Sequence, residues 1–206
     1  MSDVIAIDGP AGSGKSTVAR ALAAALDWSF LDTGAMYRAV TAEVLRRHID
    51  PADESAVARV AQDAHITTEP RVTIDGVDVE DVIRNEPVNV AVSTVAANPV
   101  VRRAMVTRQR RWAADQPRGT VVEGRDIATV VFPDATLKVF LTASLDERAR
   151  RRGDEGVDSV ARRDDADTGR IVSPLRRAED AIAIDTTHRS VQQVVEEIVT
   201  CLKTPN

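Results

Sequence analysis

Val4-Ile5-Ala6-Ile7-Asp8-Gly9-Pro10-Ala11-Gly12-Ser13-Gly14-Lys15-Ser16 opens the chain and orients the rest of it. Val4–Asp8 is a short apolar run of the strand type, and Lys15–Leu26 carries apolar residues at helical spacing. Between them, Gly9 to Ser16 satisfies the pattern G-x-x-x-x-G-K-[ST]. A glycine turn between strand and helix is the plain alternative, but the Lys-Ser pair at its end gives the loop a chemical reading. Glycines let backbone N–H groups converge on phosphate oxygens, and the helix that follows presents its positive end to them. Lys15 can reach the β- and γ-phosphates as a point charge, while Ser16 offers a hydroxyl to Mg²⁺. The expected ligand is ATP or GTP with Mg²⁺, held by Gly9, Pro10, Ala11, Gly12, Ser13, Gly14, Lys15, Ser16 and Thr17. The loop alone does not separate a kinase from an ATPase, a GTPase switch or a motor.

Working outward, apolar runs recur at Ser29–Asp32, Thr120–Glu123, Leu137–Thr142 and Ala181–Asp185. Helical periodicity covers Ala35–His48, Glu54–Asp63, Glu86–Ala97, Val100–Gln116, Ser144–Arg152 and Ser190–Leu202. Ser190 reads as an N-cap, and Pro99 as a separator between two helices. Short strands alternating with helices predict an α/β fold, a parallel five-stranded sheet of the P-loop NTPase type flanked by helices. Residues 65–80 break the alternation: β-branched residues flank Asp75-Gly76, a type I′ hairpin signal. The expected organisation is one domain over 1–206. Its core would comprise 1–33, 117–152 and 174–206, with an inserted region at about 34–116 that includes an antiparallel excursion over 65–85. The polar stretch 153–173, with Gly at 153, 156 and 169, reads as a loop or a lid.

At 206 residues the chain can bury a sizeable core without a disulfide or metal staple. Cys201 is the single cysteine, which excludes a disulfide framework and Cys-rich zinc sites. No apolar run approaches the roughly 18 residues of a membrane span, and no basic segment precedes the first apolar run. The expectation is a cytoplasmic protein. Net charge is −5, yet residues 101–177 carry +5 against −10 for the remainder, which suits a small anionic ligand. The bases are 24 Arg and three Lys, a skew that genome composition largely explains.

Asp32-Thr33-Gly34-Ala35-Met36-Tyr37-Arg38, directly after the second predicted strand, resembles the nucleoside-monophosphate site of bacterial cytidylate kinases. The stretches Asn89–Arg102, Glu123-Gly124-Arg125-Asp126 and Arg162-Arg163-Asp164-Asp165 with Arg170 agree with it. Together with the phosphate loop they extend from residue 5 to about 185. The resemblance implies transfer of the γ-phosphoryl group of ATP to CMP and dCMP, with Mg²⁺, by a monomer, and makes 34–116 the monophosphate-binding region. It assigns Arg38 and Arg125 to the acceptor phosphate, Thr33, Arg102, Asp126 and Arg170 to the base, and Ser93, Arg163 and Asp167 to the ribose. Arg148 and Arg163, with Arg170 and Arg152, are expected at the transferred group and the ATP phosphates. Asp126 has the alternatives of a helix N-cap or an indirect Mg²⁺ contact, and Ser93 that of a structural role. Thr33 stands where Ser would serve as readily, and Glu123 where Asp is common, each keeping a hydrogen-bonding group.

The residue types suit the chemistry independently. Two nucleotides bring at least four negative charges to one point, so several cations must converge there, and the planar fork of Arg grips phosphate better than Lys. Cytosine's donor at N4 and acceptors at N3 and O2 complement a site holding both an Arg and a carboxylate or hydroxyl; uracil reverses two of these and leaves groups unpaired. Arg103, Arg108, Arg150 and Arg151 read instead as solvated helix faces. His48, His65 and His188 lie outside the motifs, in keeping with a phosphate nucleophile that needs no base, since its second pKa is about 6. Rival readings are a kinase for UMP or AMP and a nucleic-acid-binding P-loop protein. Against the latter stand six aromatic residues and a negative net charge. A GTPase switch lacks its guanine-reading Asn/Thr-Lys-x-Asp motif.

Overall fold

The computed structural model describes residues 3–153, 169 and 174–203. In chain order the elements are β1 (Val4–Asp8), α1 (Lys15–Leu26), β2 (Ser29–Asp32), α2 (Thr33–Arg46), α3 (Glu54–Asp63), β3 (Ile66–Thr67), β4 (Thr73–Ile74) and β5 (Val77–Asp78). There follow α4 (Glu86–Ala97), α5 (Pro99–Ala114), β6 (Thr120–Gly124), a π-helical turn (Ile127–Val131), β7 (Leu137–Thr142), α6 (Leu145–Arg151), β8 (Ile182–Asp185) and α7 (Val191–Lys203). They make two compact units, Met1–Leu31 with Trp112–Asn206, and Asp32–Arg111. No helix among the described residues is long and apolar enough to cross a membrane.

The first unit is built on the five-stranded parallel sheet, in the order β2-β6-β1-β7-β8. β1 lies at its centre with Ile5, Ala6 and Ile7 fully buried, the near-continuous apolar run expected of a strand covered on both faces. Val18 and Leu22 of α1 and Val194 and Ile198 of α7 join Ile5, Ile7, Val121, Val139, Leu141 and Ile184 in one core. α7 starts where the sequence places it. The Ser190 hydroxyl accepts from the Gln193 amide (3.2 Å) while Gln193 Oε1 accepts from the Ser190 amide (2.9 Å), a reciprocal cap.

In the second unit α2 packs against α3, α4 and the small antiparallel sheet β3-β4-β5. The hairpin forms at the predicted dipeptide, with positive φ at both Asp75 (50°) and Gly76 (78°). α2 is buried on nearly every side, including Glu43, whose carboxylate accepts two bonds from Arg46 (2.7 Å each) and one from Arg47 (2.5 Å). The bond from Arg46, ahead of Arg47, holds that carboxyl below its usual range. Pro99 begins α5 rather than merely separating two helices: Asn98 Oδ1 accepts from the Val100 amide at 2.9 Å and caps the helix around it. Arg108 departs from the expectation of a solvated face. It donates to the carbonyls of Ala61 and Gln62 at the end of α3, groups that a helix terminus leaves without partners, and burial pushes its guanidinium pKa down.

Candidate active site

The phosphate loop leaves β1 at Asp8 and enters α1 at Lys15 through Gly14, which sits at φ 88° as the helix N-cap. Two glycines are required by close approach. A Cβ on Gly9 would lie 2.2 Å from the Leu141 carbonyl oxygen, and one on Gly12, at φ 76°, would lie 2.7 Å from that of Arg148. The loop therefore presses against β7 on one side and α6 on the other, where only bare backbone fits.

Three of its carbonyls, those of Ala11, Gly12 and Ser13, are engaged from outside the loop. Arg148, 8 % exposed, donates from Nη1 to Ala11 O (3.2 Å) and from Nε to Ala143 O (3.1 Å). Arg151 donates from Nη1 to Gly12 O (3.5 Å) and Thr186 Oγ1 (2.9 Å), and from Nη2 to Thr186 O (2.7 Å). The buried Thr186 hydroxyl lies 3.0 Å from Ser13 O. A trans peptide points its N–H opposite its C=O, so holding the carbonyls of Ala11 and Ser13 outward aims the amides of Gly12 and Gly14 inward. The expectation of a solvated Arg151 is corrected here. The sequence shows it beside Arg150, which is exposed and pairs only with Glu147 among the bonds seen, but a helix turns about 100° per residue and delivers Arg151 to the loop instead.

Inside the loop, Lys15 is 5 % exposed and its ammonium donates to Pro10 O at 2.8 Å. The Ser13 hydroxyl is buried without a hydrogen-bond partner. Ser16 and Thr17, by contrast, are exposed at the first turn of α1. Ser16 Oγ donates to Glu123 Oε1 at 2.6 Å, joining the loop to the end of β6.

Arg125 and Asp126 follow directly. Asp126 occupies the N-cap position of the π-helical turn, but its own side chain makes no capping bond. The cap comes from Asp8, whose carboxylate oxygens accept the amides of Ile127 and Ala128 at 2.8 Å each. Asp8 is 1 % exposed, and burial pushes its pKa up to about 6; the bonds from Ala128 and Ile127 oppose the rise, nearby Asp126 adds to it and Lys15 opposes it. Arg152 stands half-buried at the C-cap of α6.

The remaining described residues expected on the acceptor side belong to the second unit. Asp32 caps α2 through Ala35 N (2.9 Å), and Thr33 is buried in the first turn. Arg38, one turn further on, donates from Nη1 to Ile83 O (2.9 Å) and to Asn89 Oδ1 (2.7 Å). Asn89 is itself oriented by donating to Arg84 O (2.8 Å), and Arg84 pairs with Asp32 (3.3 Å). Ser93 lies one turn beyond Asn89 on α4, half-buried. Arg102 is 4 % exposed, with its guanidinium 5.6 Å from the centre of the Tyr37 ring and a bond to Ala96 O (3.3 Å). Arg163, Asp167 and Arg170, with nearly all of the predicted lid, lie outside the described residues.

The structure thus gathers the phosphate loop, Arg148, Arg125 and Asp126 in one unit, and Thr33, Arg38, Ser93 and Arg102 in the other. Sequence reasoning missed Asp8, Asn89, Arg151 and Thr186 as site residues. Only Asp8 and Asn89 carry a local signal, being polar residues inside otherwise apolar patterns. The three histidines are exposed, as expected of surface or turn positions.

Residues 5–204 match the cytidylate kinase family. The chain is 48 % identical to a cytidylate kinase of Mycobacterium avium, covering 95 % of this chain and 92 % of that one. It is 47 % identical to one of Geobacillus kaustophilus, over 95 % and 94 % of the two chains. Among solved structures, shikimate kinase of Acinetobacter baumannii shares the fold at 16 % identity and a TM-score of 0.51, covering 98 % of this chain and 94 % of that one. A sugar kinase from a Janibacter species does so at 14 % identity and a TM-score of 0.53, over 98 % and 95 %. The chain belongs to the cytidylate kinase family.

Proposed function

We propose that this protein transfers the γ-phosphoryl group of ATP to the phosphate of CMP, and of dCMP, releasing ADP and CDP or dCDP. The observation that carries this is the phosphate loop, with its carbonyls held outward and Lys15 and Ser16 at its mouth, in a chain matching the cytidylate kinase family over residues 5–204.

An oxygen of the CMP phosphate attacks the γ-phosphorus in line, forming a P–O bond as the bond to the β-phosphate oxygen breaks. That phosphate is already mostly dianionic at neutral pH, so positioning and charge neutralisation replace base catalysis. Lys15 serves the donor phosphates. Arg38, steadied by Ile83 O and Asn89, and Arg125 serve the acceptor phosphate. Thr33, Arg102 and Asp126 read the base, and Ser93 contacts the ribose; Arg163, Asp167 and Arg170 join them by their place in the family pattern. Arg148 acts on the transferred group through the loop it supports, and further charge comes from Arg163 and Arg152.

The Ser16 hydroxyl and Glu123 carboxylate, 2.6 Å apart, are hard oxygen donors of the kind Mg²⁺ prefers. Among the described residues no group of three or more His, Cys, Asp or Glu could hold a metal ion unaided, so the ion would arrive with the nucleotide phosphates. When bound it supplies neutralisation of phosphate charge. The family resemblance supports a monomer in the cytoplasm.

Mixing the protein with MgATP and CMP should yield ADP and CDP in equal amounts. ADP without CDP would overturn the proposal.

A further inference from the structure

We propose that Asp8 is a positioning residue for the acceptor side: its carboxylate anchors the Arg125-Asp126 segment from beneath, fixing where these two side chains meet the monophosphate. The placement rests on the phosphoryl-transfer function proposed above.

The segment is short and tied at both ends to one residue. Asp8 pairs in register with Gly124 in the β1–β6 ladder, immediately before Arg125. Its two carboxylate oxygens then accept the amides of Ile127 and Ala128, immediately after Asp126. The Asp126 carbonyl accepts from the amides of Val130 (2.9 Å) and Val131 (3.2 Å), so the turn that follows is closed on itself and hangs from Asp8. Neither Arg125 nor Asp126 can shift along the chain without breaking one of these ties.

The phosphate loop is secured separately, by Arg148 and Arg151 of α6 and by Thr186 just after β8. Changing the Asp8 side chain therefore loosens the acceptor segment while the donor loop keeps its supports. A carboxylate is the suitable group, because both converging amides are donors. An asparagine of the same shape keeps one acceptor and turns an NH₂ toward the other amide. Burial raises the Asp8 pKa to about 6, with a smaller push from Asp126, while the bonds from Ala128 and Ile127 and, less, Lys15 favour the charged form.

The test is steady-state kinetics of wild type and Asp8→Asn with CMP and ATP varied in turn. Asp8→Asn should raise the KM for CMP by about tenfold and change the KM for ATP by less than about twofold, in line with losing one charge-assisted hydrogen bond. Equal changes in both KM values, or none, would overturn the inference. Failure of the wild type to phosphorylate CMP would instead overturn the function on which it rests. A second measurement needs no variant. In the wild type, the amide protons of Ile127 and Ala128 and the side-chain Nε–H of Arg125 should follow one common titration near pH 6 in NMR spectra. Titration of the two amides with Arg125 unmoved would make Asp8 a structural cap and nothing more.

Discussion

In the proposed function, the phosphate loop of the first unit and Arg38 of the second handle phosphate by different physical means. At the loop, recognition falls to the main chain: Arg148, Arg151 and Thr186 bind backbone carbonyls, and the loop they steady would present amides beside the buried Lys15 ammonium. Arg38 would act directly through its side chain, and two of the groups that hold it, Ile83 O and Asn89 Oδ1, are neutral oxygens. A neutral acceptor holds a guanidinium in place without cancelling its charge, whereas a carboxylate would compete with the phosphate. Main-chain recognition is tolerant of the nucleotide's identity; side-chain recognition can discriminate between bases.

Variants that remove the acting charge from either side should have the largest effects. Lys15→Ala should lower kcat by about 10²–10³-fold, and Arg38→Ala should lower kcat/KM for CMP by a similar factor. Both should melt close to wild type, because neither side chain belongs to the apolar core. The comparison breaks if Arg38→Ala raises the KM for ATP as much as that for CMP. Next in size, Asn89→Ala should raise the KM for CMP by roughly five- to tenfold with the KM for ATP unchanged, since it frees Arg38 from one of its guides. Arg151→Ala should weaken ATP rather than CMP, by a few-fold, through Gly12 O and through Thr186, which in turn meets Ser13 O. Its neighbour Arg150, 74 % exposed and paired with Glu147, should tolerate Ala with rates within about twofold.

The smallest expected effect is on stability. The folded-state pKa of Asp8, about 6, lies above its ordinary value of 3.8, so the native state binds the proton more tightly than the unfolded chain. The associated stability is complete below about pH 4 and is lost as pH rises through 6. Asp8→Asn has no such titration. The melting temperature of wild type relative to Asp8→Asn should therefore rise as pH falls from 7.5 to 5, by a few degrees, corresponding to about 1 kcal/mol. A difference independent of pH would remove Asp8 from that account.

The same contrast explains what can be read without coordinates. The phosphate loop is legible because its chemistry is encoded in consecutive residues, and β1, α1 and the Asp75-Gly76 hairpin follow from equally local patterns. α2 begins at Thr33, two residues earlier than periodicity implies, because Asp32 caps it and Thr33-Gly34 resembles a turn. The π-helical turn at Ile127–Val131 escapes altogether: its cap is Asp8, 119 residues away in sequence. Arg108 and Arg151 look solvated because their acceptors are main-chain carbonyls of distant segments, which no side-chain pattern announces. Thr33, Arg38, Ser93 and Arg102, proposed for the acceptor, sit on three helices, and only resemblance to a family groups them in advance.

The most direct test of the whole account is a turnover panel of wild-type protein with MgATP and CMP, dCMP, UMP or AMP. CMP and dCMP should each be phosphorylated with kcat/KM at least about tenfold above UMP and AMP, the scale set by leaving one buried hydrogen-bonding group unpaired. Equal use of UMP, or no monophosphate turnover at all, would contradict it.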